Sequence, residues 1–485
     1  MLFNSLQFLL FFPIVTLLYF AIPHKVRWMW LLAASYYFYM CWNPKYAMLI
    51  GTSTVITYVT GLLIDRAKTV SHKKIWVGLS FGSNLLILFF FKYFDFAIAN
   101  INALLSFSGL SLITPAFDVL LPVGISFYTF QALSYTMDVY RGDIYAEKNL
   151  GKYALFVSFF PQLVAGPIER SKNLLIQISE KHVFSYENMT RGLQLMLWGF
   201  FQKLVIADRV AIIVNQVYND YTQYAGFQIV LATMLFAVQI YCDFSGYSDI
   251  AIGAAQVMGF RLMDNFNRPY FAVSIKDFWR RWHISLSTWF KDYLYIPLGG
   301  NRCSRPRRYF NLMVTFLASG LWHGASWNFV IWGGLHGAYQ IIGDLLSPLR
   351  KRFFKFFKTD TTAFSHKLLQ MVTTFALVDF AWIFFRAPGA SAAIDIIRRM
   401  FSVFNPWIFF DESIYLLGLG KSEFWFMLLS IGILFVVSLL RQRMRLRETL
   451  ATQNLWFRWL IYIAAFYFVL YGMASTSQEF VYFQF

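Results

Sequence analysis

The sequence predicts an all-α protein that crosses a membrane many times. Its 485 residues are 58% hydrophobic and 20% aromatic, and only 14% are charged. One compact soluble core cannot hide that much apolar surface. Uncharged stretches long enough to span a bilayer, which takes roughly 17–25 residues, recur from end to end. We expect these spans to be helical because lipid offers no partners for backbone hydrogen bonds.

Nine stretches are candidate spans, and an allowance for broken ones brings the total to about 10–12 membrane-embedded helices. Five are clear: Ile75–Phe91, Val119–Met137, Tyr221–Cys242, Phe424–Leu440 and Trp459–Gln478. Four are weaker: Phe8–Ile22, Val26–Trp42, Ala47–Ile64 and Leu368–Phe385. No linker or fixed-period repeat divides the chain, so we expect a single membrane domain over residues 1–485.

Charge sets the expected orientation of these spans. The net charge of +17 comes from basic residues that cluster between the apolar stretches. The positive-inside rule places such clusters in the cytoplasm, so no nucleic-acid partner is needed to explain them. The N-terminus then lies outside, and no basic region precedes the first apolar run, so we expect no cleaved signal peptide. The basic clusters are Lys25–Arg27, Arg66–Lys74, Lys276–Arg308, Arg350–Lys358 and Arg441–Arg447.

Two uncharged segments stand out. Ala97–Phe117 is too polar and broken for a lipid-facing span, and is either a re-entrant piece or an outer loop. Tyr309–Ile342 lies between two basic clusters assigned to the cytoplasm, so it must enter the membrane and return. The second segment contains no Asp, Glu, Lys or Arg and has His323 at its midpoint. It is predicted to be a hairpin of short helices or a re-entrant element, with His323 at depth.

An ionisable side chain inside a membrane indicates either function or a hydrogen-bonded packing role, and the residues alone leave both open for His323. Its chemistry suits acyl transfer, because a desolvated neutral imidazole can accept the proton of an attacking hydroxyl. Asp379, on another apolar span, could orient a buried group or face a water-filled cavity.

The other histidines have ordinary explanations from sequence. His283 follows Arg280, Arg281 and Trp282 in a stretch whose mixture of basic and aromatic residues predicts amphipathic helices at the cytoplasmic interface. His336 lies among glycines, which favours close helix packing. The remaining four are expected on solvated surfaces: His24, His72, His182 and His366.

Several other classes of site are disfavoured. No two histidines have the i, i+4 spacing of a helical metal site, and the three cysteines are scattered, so no metal is expected. No P-loop or dinucleotide fingerprint occurs. The segment Asp243–Asp249 is predicted to be a polar junction between helices that lines an internal cavity. A polysaccharide export or transport scaffold without chemistry remains an alternative, since buried ionisable groups also mark transport paths.

Four segments resemble the membrane-bound O-acyltransferase family, within it the branch of alginate O-acetylation membrane proteins, with peptidoglycan O-acetyltransferases close by. The similarity covers nearly the whole chain; its motifs concentrate in residues 120–340, and residues 345–485 form C-terminal helices. The segments are FFPQLVAGP (Phe159–Pro167), YCDFSGYSD (Tyr241–Asp249), Asn267–Asn301, and GLWHG (Gly320–Gly324) followed by Trp327–Phe329.

The resemblance implies a funnel-shaped helical core with His323 as the catalytic histidine and His283 as the second histidine of this branch. It implies acetyl coenzyme A as a cytoplasmic donor substrate, no permanently bound cofactor, and a location in the bacterial inner membrane. It also implies a periplasmic partner with an SGNH-hydrolase-like domain and an extracytoplasmic polysaccharide acceptor. Peptidoglycan O-acetylation and D-alanyl transfer to teichoic acid are the alternatives. Candidates for donor contact or tunnel lining are Arg280, Arg281, Trp282, Trp322, Asn328 and Asp243.

Overall fold

The computed structural model describes residues 1–114, 122–164, 166–444, 446–474, 478 and 480–481. Within these ranges all regular secondary structure is helical, which confirms the predicted all-α class. The chain divides into two compact units, one formed by Met1–Met196 with Ile250–Met263 and the other by Leu197–Asp249 with Asp264–Phe485. The expectation of a single membrane domain over residues 1–485 stays a prediction.

The described residues of the first unit form helices, some of which are linked by buried hydrogen bonds. Buried hydroxyls link them: Tyr153 donates to Thr57 Oγ1 at 2.7 Å, and Ser80 and Thr136 share a 2.8 Å hydrogen bond. Such bonds satisfy side chains that lipid cannot. The helices are α1 (Leu6–Ala21), α2 (His24–Met40), α3 (Tyr46–Arg66), α4 (Val70–Leu88), α5 (Phe94–Phe107), α6 (Ile125–Arg141), α7 (Leu150–Ser158), α8 (Phe160–Leu163) and α9 (Ser171–Ser179), and α10 (Tyr186–Phe200) leads into the second unit.

The second unit carries both histidines that the sequence singles out. Its helices after α10 are α11 (Asp208–Asn219), α12 (Phe227–Val257, whose last turns belong to the first unit), α13 (Ile275–Trp279), α14 (Ile284–Phe290), α15 (Arg305–His323), α16 (Trp327–Leu345), α17 (Ser347–Phe356), α18 (Phe364–Arg386), α19 (Ala390–Met400), α20 (Lys421–Arg443), α21 (Leu446–Ala451) and α22 (Leu455–Gly472).

Among the described residues, six helical segments are long and apolar enough to cross a bilayer. They confirm a protein with several membrane-spanning helices. The larger count of 10–12 embedded helices, which includes short and re-entrant ones, stays a prediction. The six segments are Tyr46–Arg66, Val70–Phe107, Phe227–Val257, Phe364–Arg386, Lys421–Arg443 and Leu455–Gly472.

The uncharged segment Ala97–Phe117 is helical only in its first part. Helix α5 ends at Phe107, and residues 110–114 are irregular. Its last residues, 115–117, lie outside the described ranges.

The hairpin predicted for Tyr309–Ile342 is confirmed. Helix α15 ends at His323, residues 324–326 form the turn, and α16 runs back beside α15. At the open end of the hairpin Arg308 forms an ion pair with Asp344, and the Tyr309 hydroxyl donates to the same carboxylate at 2.9 Å.

Two glycines let the backbones of this hairpin approach each other. A Cβ on Gly320 would come within 3.0 Å of the carbonyl oxygen of Phe329, and a Cβ on Gly333 would meet that of Phe316 equally closely. Backbone atoms cannot move aside as a flexible side chain can, so only glycine fits either position. Small residues at helix contacts are typical of membrane proteins, where tight packing replaces the hydrophobic effect as the source of association.

Gly333→Ala should therefore separate the two helices. The expected cost is about 1–3 kcal/mol of unfolding free energy, as for other overpacked cores. It should appear as a lower midpoint of thermal unfolding for the detergent-solubilised protein. Gly334→Ala is the matched control, because its Cβ would meet only the Leu317 side chain, at 3.6 Å. Equal midpoints for the two variants would contradict the packing described here.

Candidate active site

His323 is the last residue of α15, at the closed end of the hairpin. Its side chain is almost fully buried, with 3% exposed. Aromatic rings surround it: the centroids of Trp322 and Trp332 both lie 5.0 Å from that of His323, and the centroid of Phe385 lies at 5.3 Å. A helix end held by close packing thus presents the imidazole in an apolar environment.

His283 lies between α13 and α14 and is also fully buried. The prediction that these residues lie on an amphipathic surface helix is wrong for Trp282 and His283, which both have 0% exposure, whereas Arg280 is exposed. A turn at residues 280–283 directs Trp282 and His283 into the interior of the second unit. The location of the stretch at the cytoplasmic interface stays a prediction.

The backbone at His283 has φ 42° and ψ 55°, in the left-handed region that non-glycine residues rarely adopt. Such a residue persists only where the surroundings fix it. Asn265 and Asn267 supply that support: the Ile284 N–H donates to the Asn265 carbonyl, and the Asn267 N–H donates to the Arg281 carbonyl, each at 2.9 Å.

The structure brings His283 and His323 together. Their ring centroids are 6.3 Å apart, with the ring planes inclined by 61°. Trp322 packs edge-on against His283, with centroids 5.9 Å apart. An oxygen atom placed between the two imidazoles could lie within about 3 Å of a nitrogen on each, which is the reach needed for proton transfer.

Burial controls the charge of His283. Desolvation lowers its pKa from the usual 6.5 to about 3, because the apolar surroundings disfavour the imidazolium ion. At neutral pH the ring is therefore uncharged and holds one nitrogen lone pair. That state can accept a hydrogen bond or a proton.

The other predicted residues fall into different roles. Trp282 and Trp322 are buried aromatic walls of the site. Arg281 forms an i, i+4 ion pair with Asp277, at 3.0 Å between Nε and Oδ1. Asn328, the second residue of α16, donates from Nδ2 to the carbonyls of Phe384 and Ala387 at 3.1 and 3.0 Å. It thereby ties the start of α16 to the end of α18.

Asp243 belongs to a buried charge cluster that the sequence does not reveal. Lys203 Nζ lies 2.8 Å from Asp208 and 2.7 Å from Asp243, and all three side chains are at most 2% exposed. The same ammonium donates to the Gln478 carbonyl at 3.0 Å, and the Val481 N–H donates to Asp243 Oδ2 at 2.6 Å. The cluster therefore holds part of the C-terminal segment within the second unit.

The ion cluster is next to the candidate site, because Asp243 and Phe244 are consecutive residues of α12. Phe244 follows Asp243 on α12, and its ring meets His283 edge-on at 4.6 Å between centroids. Phe480 packs against both Phe244 and Tyr247, at 5.8 and 4.4 Å. The ion cluster thus contacts the C-terminal segment at Val481, and Phe480 of that segment packs against Phe244, which packs against His283.

His336 supports the site rather than joining it. Its Nδ1 accepts a hydrogen bond from the indole N–H of Trp279 at 3.2 Å, and it is fully buried. The bond links α13 to α16. Its ring also packs against Trp332, which in turn contacts His323. The packing role predicted from its glycine neighbours fits these contacts.

Sequence reasoning missed Asn265 and Lys203. Asn265 has its own hydrogen bonds to the His283 segment, yet in sequence it is one polar residue in an irregular stretch. Lys203 lies in a π-helical stretch, Phe201–Ala207, in which most of the residues are apolar. A lone lysine inside an apolar segment was the available signal, because such residues rarely lack a charged partner.

Lys203→Met should destabilise the protein strongly, because it leaves two carboxylates buried without a cation. Removing one partner of a buried pair typically costs about 3–5 kcal/mol. The triple variant Lys203→Met, Asp208→Asn, Asp243→Asn should recover part of that loss, since it removes all the charges together. Thermal unfolding midpoints of the two variants test this. A triple variant no more stable than the single one would contradict the ion cluster as the cause.

Comparison with known proteins agrees with this geometry. The sequence model of the membrane-bound O-acyltransferase family matches residues 145–377, which include both histidines. The probable alginate O-acetylase AlgI of Azotobacter vinelandii is 40% identical, over 85% of this chain and 80% of that protein. The peptidoglycan O-acetyltransferase of Helicobacter pylori is 36% identical, over 82% and 80%. The teichoic acid D-alanyltransferase of Bacillus subtilis is 26% identical, over 56% and 70%.

The first two of these relatives are at least 36% identical over more than four fifths of the chain. Identity of this level over this length, together with the family match across the site, shows that the chain belongs to the membrane-bound O-acyltransferase family and is an O-acyltransferase.

Proposed function

We propose that this enzyme transfers acetyl from cytoplasmic acetyl coenzyme A across the bacterial inner membrane for O-acetylation of an extracytoplasmic polysaccharide of the alginate type. The observation that carries the proposal is the pair of buried histidines, 6.3 Å apart, on an O-acyltransferase chain. The acetyl group and the polymer class come from relatives at 40% identity whose names state alginate O-acetylation.

In the proposed reaction His323 acts as the general base. It takes the proton of the acceptor hydroxyl as the oxygen attacks the thioester carbonyl carbon. The tetrahedral intermediate then collapses, the C–S bond breaks, and the imidazolium returns its proton to the departing coenzyme A sulfur. An O-acetyl ester and free coenzyme A result, and no oxidant, reductant or metal takes part.

The aromatic surroundings of the site suit this chemistry. Trp322, Trp332 and Phe385 enclose His323 and are at most 3% exposed. Exclusion of water protects a thioester from hydrolysis and strengthens the hydrogen bonds that stabilise developing charge. In general-base catalysis the group that accepts the proton is the nitrogen lone pair of a neutral imidazole.

The donor and the partner follow from the basic segments and the family branch. Exposed Arg280 belongs to the basic cluster Lys276–Arg308, which the positive-inside rule places in the cytoplasm. Guanidinium groups there could bind the phosphates of coenzyme A. On the other side we propose a periplasmic partner with an SGNH-hydrolase-like domain, which passes acetyl to the polymer.

Peptidoglycan O-acetylation is the second candidate, and one observation favours it. A peptidoglycan O-acetyltransferase is 36% identical over 82% of this chain, a similarity nearly as extensive as that of the alginate relatives. Both candidates share the donor, the histidines and the emergence of acetyl outside. D-alanyl transfer has weaker support, because that relative covers 56% of the chain at 26% identity.

His323→Ala should abolish acetyl transfer in proteoliposomes supplied with labelled acetyl coenzyme A and a periplasmic partner. General bases typically contribute about 10²–10⁴-fold to rate, so a loss of that size is expected with little change in donor binding. Measurements of turnover and of acetyl coenzyme A affinity distinguish a loss of catalysis from a loss of donor binding. Alginate and peptidoglycan offered as acceptors in parallel identify the polymer.

His72→Ala is the matched control, since His72 is exposed on α4. It should transfer at the wild-type rate. His323→Ala with the turnover of the control would refute the catalytic assignment. Labelled acetyl that stays on the donor with every partner and acceptor offered would refute the acetyl coenzyme A donor.

A further inference from the structure

We propose that Asn265 is a positioning residue that locks His283 in the tautomer with the proton on Nδ1, so that the Nε2 lone pair serves the transfer reaction as a hydrogen-bond acceptor. The juxtaposition that supports it is a hydrogen-bond network around the Asn265 side chain, which is 1% exposed. The reaction role rests on the function proposed above, whereas the tautomer itself does not.

The orientation of the Asn265 amide is fixed by a backbone group. The Ser285 N–H donates to Asn265 Oδ1 at 3.3 Å, and a backbone N–H can only donate, so the atom it meets is the oxygen. The Ser285 hydroxyl donates to the same oxygen at 2.9 Å. On the other side Asn265 Nδ2 donates to Ser248 Oγ at 3.1 Å. Both ends of the amide therefore have partners of the right kind.

The amide orientation then fixes the imidazole. His283 Nδ1 lies 3.1 Å from Asn265 Oδ1. An amide oxygen only accepts, so Nδ1 must donate and carries the proton. Because the ring is neutral in its buried setting, Nε2 is the nitrogen with the lone pair. His336 is held in the opposite tautomer, since its Nδ1 accepts from Trp279.

The backbone reinforces this choice. The Asn265 carbonyl accepts the Ile284 N–H at 2.9 Å while its side chain binds residues 283 and 285. One residue thus holds three consecutive positions of a segment whose first member has a left-handed backbone. Since a left-handed residue is held only by its surroundings, loss of the Asn265 side chain should free both the ring and its tautomer.

The neighbours of His283 define what can change its protonation. Phe244 from α12, Phe266 from the preceding loop, and Trp322 and His323 from α15 face its ring. Of these, His323 is titratable. A carboxylate introduced at position 265 would be a new charge next to Nδ1, and it would raise the pKa of His283.

The tautomer can be measured without turnover. Protein labelled with ¹⁵N-histidine in proteoliposomes at pH 7 should show a His283 ring with protonated Nδ1 and unprotonated Nε2, assigned by its absence from the His283→Gln spectrum. Asn265→Leu, which keeps the side-chain size and removes the acceptor, should lose that state. Asn267→Leu, the same change at an exposed neighbour, should keep it. Protonated Nε2 in the wild type would overturn the proposal.

Acetyl transfer tests the positioning role. Asn265→Leu should lose at least tenfold in turnover. Asn267→Leu changes an exposed side chain and keeps the backbone N–H that bonds the Arg281 carbonyl, so it should keep the wild-type rate. Asn265→Asp retains an acceptor for Nδ1 and should restore most of the activity above neutral pH. In the ¹⁵N spectra of Asn265→Asp, the pH profile of the His283 ring should show uptake of its second proton about 1–3 pH units higher than in the wild type, because the new carboxylate stabilises the imidazolium ion.

A merely space-filling Asn265 predicts other results. It would give an Asn265→Asp profile that superimposes on the wild-type profile, and that outcome would overturn the positioning role even if Asn265→Leu failed to fold. Asn265→Leu with wild-type turnover would do the same. Absence of acetyl transfer in the wild type itself would refute the proposed function and leave the tautomer to stand on the spectra.

Discussion

Every polar group inside this protein must find its partner within the chain, because a bilayer supplies none. The second unit shows the consequence in several places. Asn328 donates both amide hydrogens to carbonyls at the end of α18. Lys203 forms ion pairs with two carboxylates and donates to one backbone carbonyl. Asn265 does the same for the His283 segment. The same bonds that make burial tolerable also fix the geometry of the site, so stability and catalysis share their residues.

Close helix packing is the second part of that constraint. The hairpin of α15 and α16 depends on Gly320 and Gly333, since any larger residue would meet a backbone carbonyl. His323 stands at the closed end, where Trp332 on the returning helix α16 packs against its ring. The proposed base is therefore placed on a regular element rather than on a loop, which suits the accurate positioning that general-base catalysis needs.

The hairpin could be predicted because charge and length alone dictate it: a neutral segment between two basic clusters must enter the membrane and return. The burial of His283 inside the protein could not be predicted in this way. Its neighbours Arg280 and Trp282 have the composition of an interface, and only the tertiary turn separates the exposed arginine from the buried tryptophan. The role of Asn265 could not be predicted from sequence for a similar reason. Its hydrogen bonds reach residues 18 and 20 positions away, and no periodicity marks such a pair.

The two histidines are held by different kinds of structure, His323 by a helix end and His283 by hydrogen bonds to an irregular segment. His323 rests on a helix end enclosed by aromatic rings and is 3% exposed. His283 rests on a left-handed residue, a conformation that costs on the order of 1–3 kcal/mol and that its hydrogen bonds must offset. Strain of this kind persists where the position of one side chain matters more than local stability. A mobile second histidine would populate both tautomers, and in the tautomer with the proton on Nε2 that nitrogen could not accept a hydrogen bond.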